Sequence, residues 1–362
     1  MSPQGQPELP AEPDPAGVLV SSNVDRLGEA TRQTLAFKFG GSSLLGAERM
    51  LRSAGLVREA AAARARVAVV VSAMKGVTDR LLAIAKALEE RRSADTLPEA
   101  DQVVYLHFDV LRELRLDPFG AERVARELRL LGKDLHQDVS EGVRATPFSR
   151  EALHDRLASY GERFSARLFA AALEKCGVSA VPVSSSEFVL TCDTFREAQP
   201  QIEETRRRGR EILLPLFEDG VVPVVTGFIG STADGRVTTL GRNSSDFSGA
   251  LVAHVVDADE LVIWTDVDGI YTANPHESAE ARLLHELSYD EAHALVASGA
   301  KVLHAKVLPL AAETEMVVWV RNTFNPRFRG TRIGPPALGD VLPNRDVPAP
   351  RGCHNSSPRG EA

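Results

Sequence analysis

Cysteine is scarce in this chain of 362 residues: Cys176, Cys192 and Cys353 are three in number and far apart. That excludes a disulfide framework, and no zinc-ligand spacing is present, so a reducing, cytoplasmic setting is expected. Long hydrophobic runs are missing too. No stretch approaches the ~20 apolar residues of a membrane span. The opening MSPQGQPELPAEPDPAG has neither the basic nor the apolar region of a secretory signal. Positive charge is not in excess, with 42 Lys and Arg against 50 Asp and Glu and a formal net charge of -8. This disfavours nucleic acid and anionic membranes as partners. It does not disfavour a local basic pocket for a small anion.

What is present is an ordinary soluble composition, 43% hydrophobic and 25% charged, long enough for one large domain or two smaller ones. Residues 1–30 and 335–362 are rich in proline and polar residues and are expected to be disordered tails. Two sequons, Asn243-Ser244-Ser245 and Asn355-Ser356-Ser357, are chance matches in a cytoplasmic protein. Between the tails, apolar runs such as RVAVVVSAM, VSAVPV, VVPVVTGFIG, ELVIWTD and MVVWVRNT alternate with helical patterns such as RLFAAALEKCG. The alternation predicts an α/β fold with a mostly parallel sheet. Pro182 and Pro223 lie near the starts of their runs, where a missing N–H is tolerable. From about Arg80 to Gly177 the pattern is helical throughout, as in an insertion beside the sheet. Ser288 and Glu291 form a capping-box signature, with Gly299 as the stop and Lys301 presented just beyond it.

Four junctions, marked by Lys38, Thr78, Arg242 and Asp266, carry the chemistry. TLAFKFGGSS (Thr34–Ser43) runs from a strand into two glycines before a helical pattern. Gly40 and Gly41 permit close approach of an anion, their N–H groups form a cradle, and Lys38 adds a full charge. The lysine precedes the glycines, so this is not a Walker loop. TTLGRNSSDFSGALVAHVV opens a second helix with Arg242 and Asp246 at its start. IWTDVDGIYTANP places Thr265, Asp266 and Asp268 beyond a third strand. Ligands of open α/β sheets bind outside the carboxyl ends of the strands, where Lys38, Thr78, Arg242 and Asp266 fall. Taken singly, Glu162 reads as a solvated helix residue, Arg242 as a surface ion-pair partner, and Thr265 and Asp266 as caps.

As an ordered set these segments resemble the aspartokinases of the amino-acid kinase superfamily. KFGGSS, VVVSAMKGVTD, SYGERFSARL, TTLGRNSSDFSGALVA, IWTDVDGIYTANP, ELSYDEAHALVASGAKVLH and NTFNPRFRGT follow the family order from Thr34 to Gly334. The wording is most like the kinase half of bifunctional aspartokinase–homoserine dehydrogenases. The resemblance implies a doubly wound, mostly parallel sheet sandwiched by helices, with 31–334 as catalytic domain. Within it, 31–232 is expected to be mainly the amino-acid lobe and 233–334 mainly the nucleotide lobe. It implies ATP and Mg²⁺ as cofactors and L-aspartate as the acceptor. The product, 4-phospho-L-aspartate, leads toward lysine, threonine and methionine. Lys38, Gly40, Gly41, Ser42, Thr265, Asp266, Tyr271 and Lys301 match nucleotide contacts. Ser72, Thr78, Glu162, Arg242 and Ser245 match substrate contacts, and Asp246 joins Lys38 as a catalytic residue. A homodimer is compatible with the family.

The match departs from the family at several places. Asn274-Pro275-His276 replaces an Asp-Pro-Arg, which removes a carboxylate and an arginine and is expected to weaken nucleotide binding or alter its choice. Ser244 stands where glycine is usual, and strain is expected there. Ala305 replaces a proline. No paired regulatory ACT domain follows the catalytic segment, so no intrinsic feedback inhibition is expected. A kinase for a close aspartate analogue and a non-catalytic amino-acid or nucleotide-binding protein are the alternatives.

Overall fold

The computed structural model describes residues 33–92, 96–144, 147–273, 278, 280–298 and 303–335. The expected tails fall outside these residues, Pro335 excepted. So do Cys353, Asn274, Pro275, His276, Gly299 and Lys301.

The chain begins with β1 (Thr34–Phe39), buried along its whole length. Its side chains alternate between two cores, as the pleat requires: Leu35, Phe37 and Phe39 enter one, Ala36 the other. A 3-10 turn (Gly41–Leu44) leads into α1 (Gly46–Ala62), and β2 (Arg66–Val71) follows. The helical region then comprises α2 (Val77–Glu89), α3 (Thr96–Leu114), α4 (Pro118–Gly142), α5 (Pro147–Ala158) and α6 (Tyr160–Lys175). After it come β3 (Ala180–Val183), α7 (Ile202–Glu218) and β4 (Val222–Thr226). A short antiparallel pair, β5 (Ile229–Ser231) and β6 (Val237–Thr239), precedes α8 (Ser245–Val255). The remainder is β7 (Glu260–Thr265), β8 (Ile270–Tyr271), β9 (Leu283–Leu284), β10 (Glu286–Leu287), α9 (Tyr289–Ala297), α10 (Val307–Glu313), β11 (Val317–Asn322) and β12 (Thr331–Ile333).

Eight strands form one sheet in the order β10-β12-β11-β7-β1-β2-β4-β3. From β11 to β3 every neighbouring pair is parallel, and β12 alone runs antiparallel to its neighbour β11. The β-branched run of β2 suits a strand buried on both faces. Helices α1, α2, α3, α4 and α6 cover the face bearing Phe37, Phe39 and Trp264. Helices α7 to α10 cover the other, where Ala36 and Ala68 leave room for a close helix. This is the doubly wound sandwich expected from the sequence. Pro182 lies on the edge strand β3, and Pro223 is the second residue of β4.

The capping box at α9 is formed. Ser288 Oγ accepts the Glu291 N–H at 3.2 Å, and Glu291 Oε2 accepts the Ser288 N–H at 2.8 Å. Ser288→Ala should lower stability by about 1 kcal/mol, and chemical denaturation would measure it.

Candidate active site

From β1 the chain winds one way through β2, β4 and β3, and the other way through β7 and β11. The switch lies between β1 and β7, and the crevice outside their carboxyl ends is the expected ligand site of such a sheet.

Lys38 lies at this switch, paired in register with Val70 on β2 and Ile263 on β7. It is only 8% exposed. Its stem runs past Gly249 of α8, where an added Cβ would come 3.2 Å from Lys38 Cβ. Its ammonium lies 2.8 Å from Asp246 Oδ1, in the first turn of α8. That oxygen has no aligned hydrogen bond, so the contact is an ion pair.

Gly40 donates its N–H to Trp264 O at 3.2 Å, tying the β1 turn to β7. Gly41 accepts from Lys75 N at 3.2 Å, tying the same turn to the loop after β2. A Cβ on Gly41 would meet Ala73 O at 2.7 Å and Lys75 N at 3.0 Å. Only glycine fits between these two loops. Ser42 is half-buried beside them.

The loop after β2 carries Ser72, whose Oγ donates to Ser245 Oγ at 2.9 Å, while Ser72 N donates to Phe39 O at 3.1 Å. Thr78 follows in the first turn of α2. Opposite this loop, Gly161 at the start of α6 packs so closely that a Cβ would lie 2.5 Å from that of Ala73. The next residue, Glu162, is 3% exposed, and its Oε2 has no hydrogen-bond partner. Burial pushes the Glu162 carboxyl up to about 8, against the pull of its backbone N–H partners Ala73 and Glu162 and of the Lys38 charge. A buried acid without a cation is poised to receive one. Arg242 is on the rim, 74% exposed, and its Nη2 donates to Asp79 Oδ1 at 2.9 Å.

On the β7 side, Thr265 ends the strand, and its Oγ1 lies 3.3 Å from Asp266 Oδ1. Tyr271, on β8, is half-buried. Asp268 accepts from Asn322 Nδ2 at 2.8 Å and Asn325 Nδ2 at 3.1 Å, which ties this loop to the end of β11.

The structure therefore gathers Lys38, Gly40, Gly41, Ser72, Ser245 and Asp246 through direct contacts. Glu162 lies against the same loop as Ser72. Arg242 reaches toward Thr78 only through Asp79. Lys301 is outside the described residues. The strain expected at Ser244 is absent, since its φ is -78°. The left-handed backbone falls instead on Gly241 (φ 99°) and Asn243 (φ 62°). Asparagine tolerates that region better than most residues, which is why serine can follow it.

Sequence reading missed three neighbours. Phe228, in the loop after β4, has φ 68° and donates its N–H to Ser248 Oγ at 2.8 Å. His304 stacks on Phe247 with ring centroids 6.0 Å apart; burial lowers its pKa, as does Lys306, while Asp246 opposes. Asp79, in the VVVSAMKGVTD segment, is the third, as the partner of Arg242. Among the described residues no group of three or more His, Cys, Asp or Glu side chains is arranged to hold a metal ion. No helix among them is long and apolar enough to cross a membrane.

A doubly wound sheet with a buried lysine and a glycine turn at its switch defines an α/β protein with a candidate anion site. The sequence pattern of the amino acid kinase family matches residues 33–322, and the chain belongs to that family. It is similar to the lysine-sensitive aspartokinase 3 of Escherichia coli, 35% identical over 82% of this chain and 63% of the relative. It is 34% identical to the chloroplastic aspartokinase 1 of Arabidopsis thaliana, over 83% of this chain and 52% of that one. With the bifunctional aspartokinase/homoserine dehydrogenase 1 of Zea mays the identity is 30%, over 82% and 32%. The crystal structure of E. coli aspartokinase III in complex with aspartate and ADP superposes with a TM-score of 0.76 at 33% identity, covering 83% of this chain and 64% of that one. The chain thus spans less than two thirds of the length of these relatives.

Two outcomes are expected. Gly41→Ala should destabilise the protein by about 1–3 kcal/mol in denaturant unfolding, because two backbone segments must part. Glu162→Gln should act with pH. The folded-state pKa of Glu162 is raised, so the folded protein holds this proton up to about 8 while the unfolded chain releases it near 4.5. Stability therefore falls as pH rises through that window. The glutamine variant lacks this loss and should exceed the parent by at least about 1 kcal/mol at pH 9, with a smaller difference at pH 5.

Proposed function

We propose that the chain transfers the γ-phosphoryl group of ATP to the side-chain carboxylate of L-aspartate, giving 4-phospho-L-aspartate and ADP. The observation that carries this reading is a buried, unpaired Glu162 in the same crevice as Lys38 and the glycine cradle. A phosphate site and an ammonium site share one opening. The likeness to aspartokinases, one of them solved with aspartate and ADP, supports the same substrates.

The chemistry needs no general base. An aspartate carboxylate has a pKa of about 3.9 and is ionised at neutral pH. Its oxygen attacks the γ-phosphorus; a carboxyl O–P bond forms, the bond from γ-phosphorus to the bridging oxygen breaks, and ADP leaves with that electron pair. The barrier is repulsion between anions, so positioning and positive charge dominate. Lys38, oriented by Asp246, and the amides of Gly40, Gly41 and Ser42 would hold the phosphates. Mg²⁺ would enter on ATP as part of that substrate. Thr265, Asp266, Tyr271 and Lys301 would contact the nucleotide.

Glu162 would take the α-ammonium, whose charge drives the carboxyl to its ionised form. Arg242 would take the α-carboxylate with its planar fork. Its pair with Asp79 is exposed, and such pairs are worth about 0–1 kcal/mol, so a substrate carboxylate can replace it. Ser72, Thr78 and Ser245 supply hydroxyls along the substrate. The proposed division into a mainly amino-acid lobe, 31–232, and a mainly nucleotide lobe, 233–334, is crossed by Lys38 and the glycine turn in one direction and by Arg242 and Ser245 in the other.

The test is ATP turnover with Mg²⁺ and L-aspartate, trapping the acyl phosphate with hydroxylamine. Aspartyl hydroxamate should form and fall roughly 100-fold or more in Lys38→Ala. Product from a different amino acid, with none from aspartate, would move the substrate; no product from any acid would sink the kinase reading.

A further inference from the structure

Asp155 lies in the last turn of α5 and is 0% exposed. Its basic partner is the neighbouring His154. Its Oδ2 accepts two backbone N–H groups, from Arg196 at 2.8 Å and from Thr239 at 2.7 Å. Its Oδ1 lies 3.4 Å from His154 Nδ1. Burying a carboxylate is costly unless it is well bonded, so two amides on one oxygen mark a position that holds something in place.

The two donors come from separate segments. Arg196 is in the loop between β3 and α7, in a left-handed conformation with φ 72°. Thr239 ends β6, three residues before Arg242. Ala198 N donates to Thr239 O at 2.9 Å, so the segments also bind each other. Arg196 further pairs with Glu89 at the end of α2.

The other direction leads to Glu162. Ser159 N donates to Asp155 O at 3.0 Å and Arg163 N to Ser159 O at 3.2 Å, so helical bonding continues from α5 into α6. One carboxylate oxygen thus joins the arm bearing Arg242 to the arm bearing Glu162.

We propose that Asp155 is a positioning residue that sets the spacing between Arg242 and Glu162, and with it the fit of the free amino-acid end of the substrate. The ligands of Arg242 and Glu162 rest on the function proposed above; the clamp itself does not. An apolar side chain at 155 frees the strand end at Thr239 to shift against α6. The phosphate side, on β1 and β7, stays as it is.

The test uses the full chain with Asp155→Leu and Asp155→Asn. In the leucine variant two amides lose their acceptor, and KM for aspartate should rise about tenfold while KM for ATP stays. Asparagine can place its carbonyl oxygen at the Oδ2 position and should restore KM to within about threefold of the parent. Hydrogen exchange at the Thr239 and Arg196 amides should quicken in the leucine variant and not in the asparagine one. A fall in kcat with both KM values unchanged would mean a structural role alone and overturn the proposal. So would unchanged exchange at the two amides. If the leucine variant does not fold, Asp155→Ala, which also removes the acceptor, takes its place: a rise in KM for aspartate alone supports the proposal, and equal rises for both substrates overturn it. A parent that does not phosphorylate aspartate refutes the function, and the amide exchange then still decides the clamp.

Discussion

A lysine charge held inside a strand that is buried on both faces is the constraint on which this structure depends. Lys38 is in the middle of the sheet, where burying an ammonium costs hydration. Three features keep it there. Gly249 gives its stem passage, Asp246 supplies the counter-charge, and the turn at Gly40 and Gly41 lets backbone close around the tip. Gly249 and Asp246 are both on α8, and the glycine turn follows β1 and packs on the loop after β2, so the site is complete only when β1, α8 and that loop are all in place.

The amino-acid end obeys the opposite logic. Glu162 is buried and has no cation, and its elevated pKa shows the strain of that arrangement. Under the proposed function such a site trades stability for recognition, the substrate ammonium being the partner Glu162 lacks. Gly161 forces it close: the contact with Ala73 brings α6 against the loop of Ser72, so the acid and the glycine turn share one wall. Asp155 carries that wall across to the strand end before Arg242.

Much of this was legible in the chain itself. The all-buried runs became β1, β2, β4 and β7 because β-branched and aromatic residues flanked by glycine leave few other solutions. The capping box at Ser288 and Glu291 formed as read, because its bonds are local. Lys38, Gly40 and Gly41 announced themselves through type and position. Asp155, Phe228 and His304 did not. A buried acid in a helix looks like any solvated one until the segment it holds, 84 residues away in the case of Thr239, is seen beside it.

The sequence alone therefore determined the alternation of strands and helices, the family, and the set of charged residues at strand ends, because those follow from local pattern and short motifs. Only the tertiary structure decided how these groups meet. It put Asp246 on Lys38 and left Glu162 without a cation. It turned Arg242 outward to Asp79, and it moved the left-handed backbone from Ser244 to Asn243. Those outcomes depend on pairing between segments far apart in the chain, and no local rule carries that information.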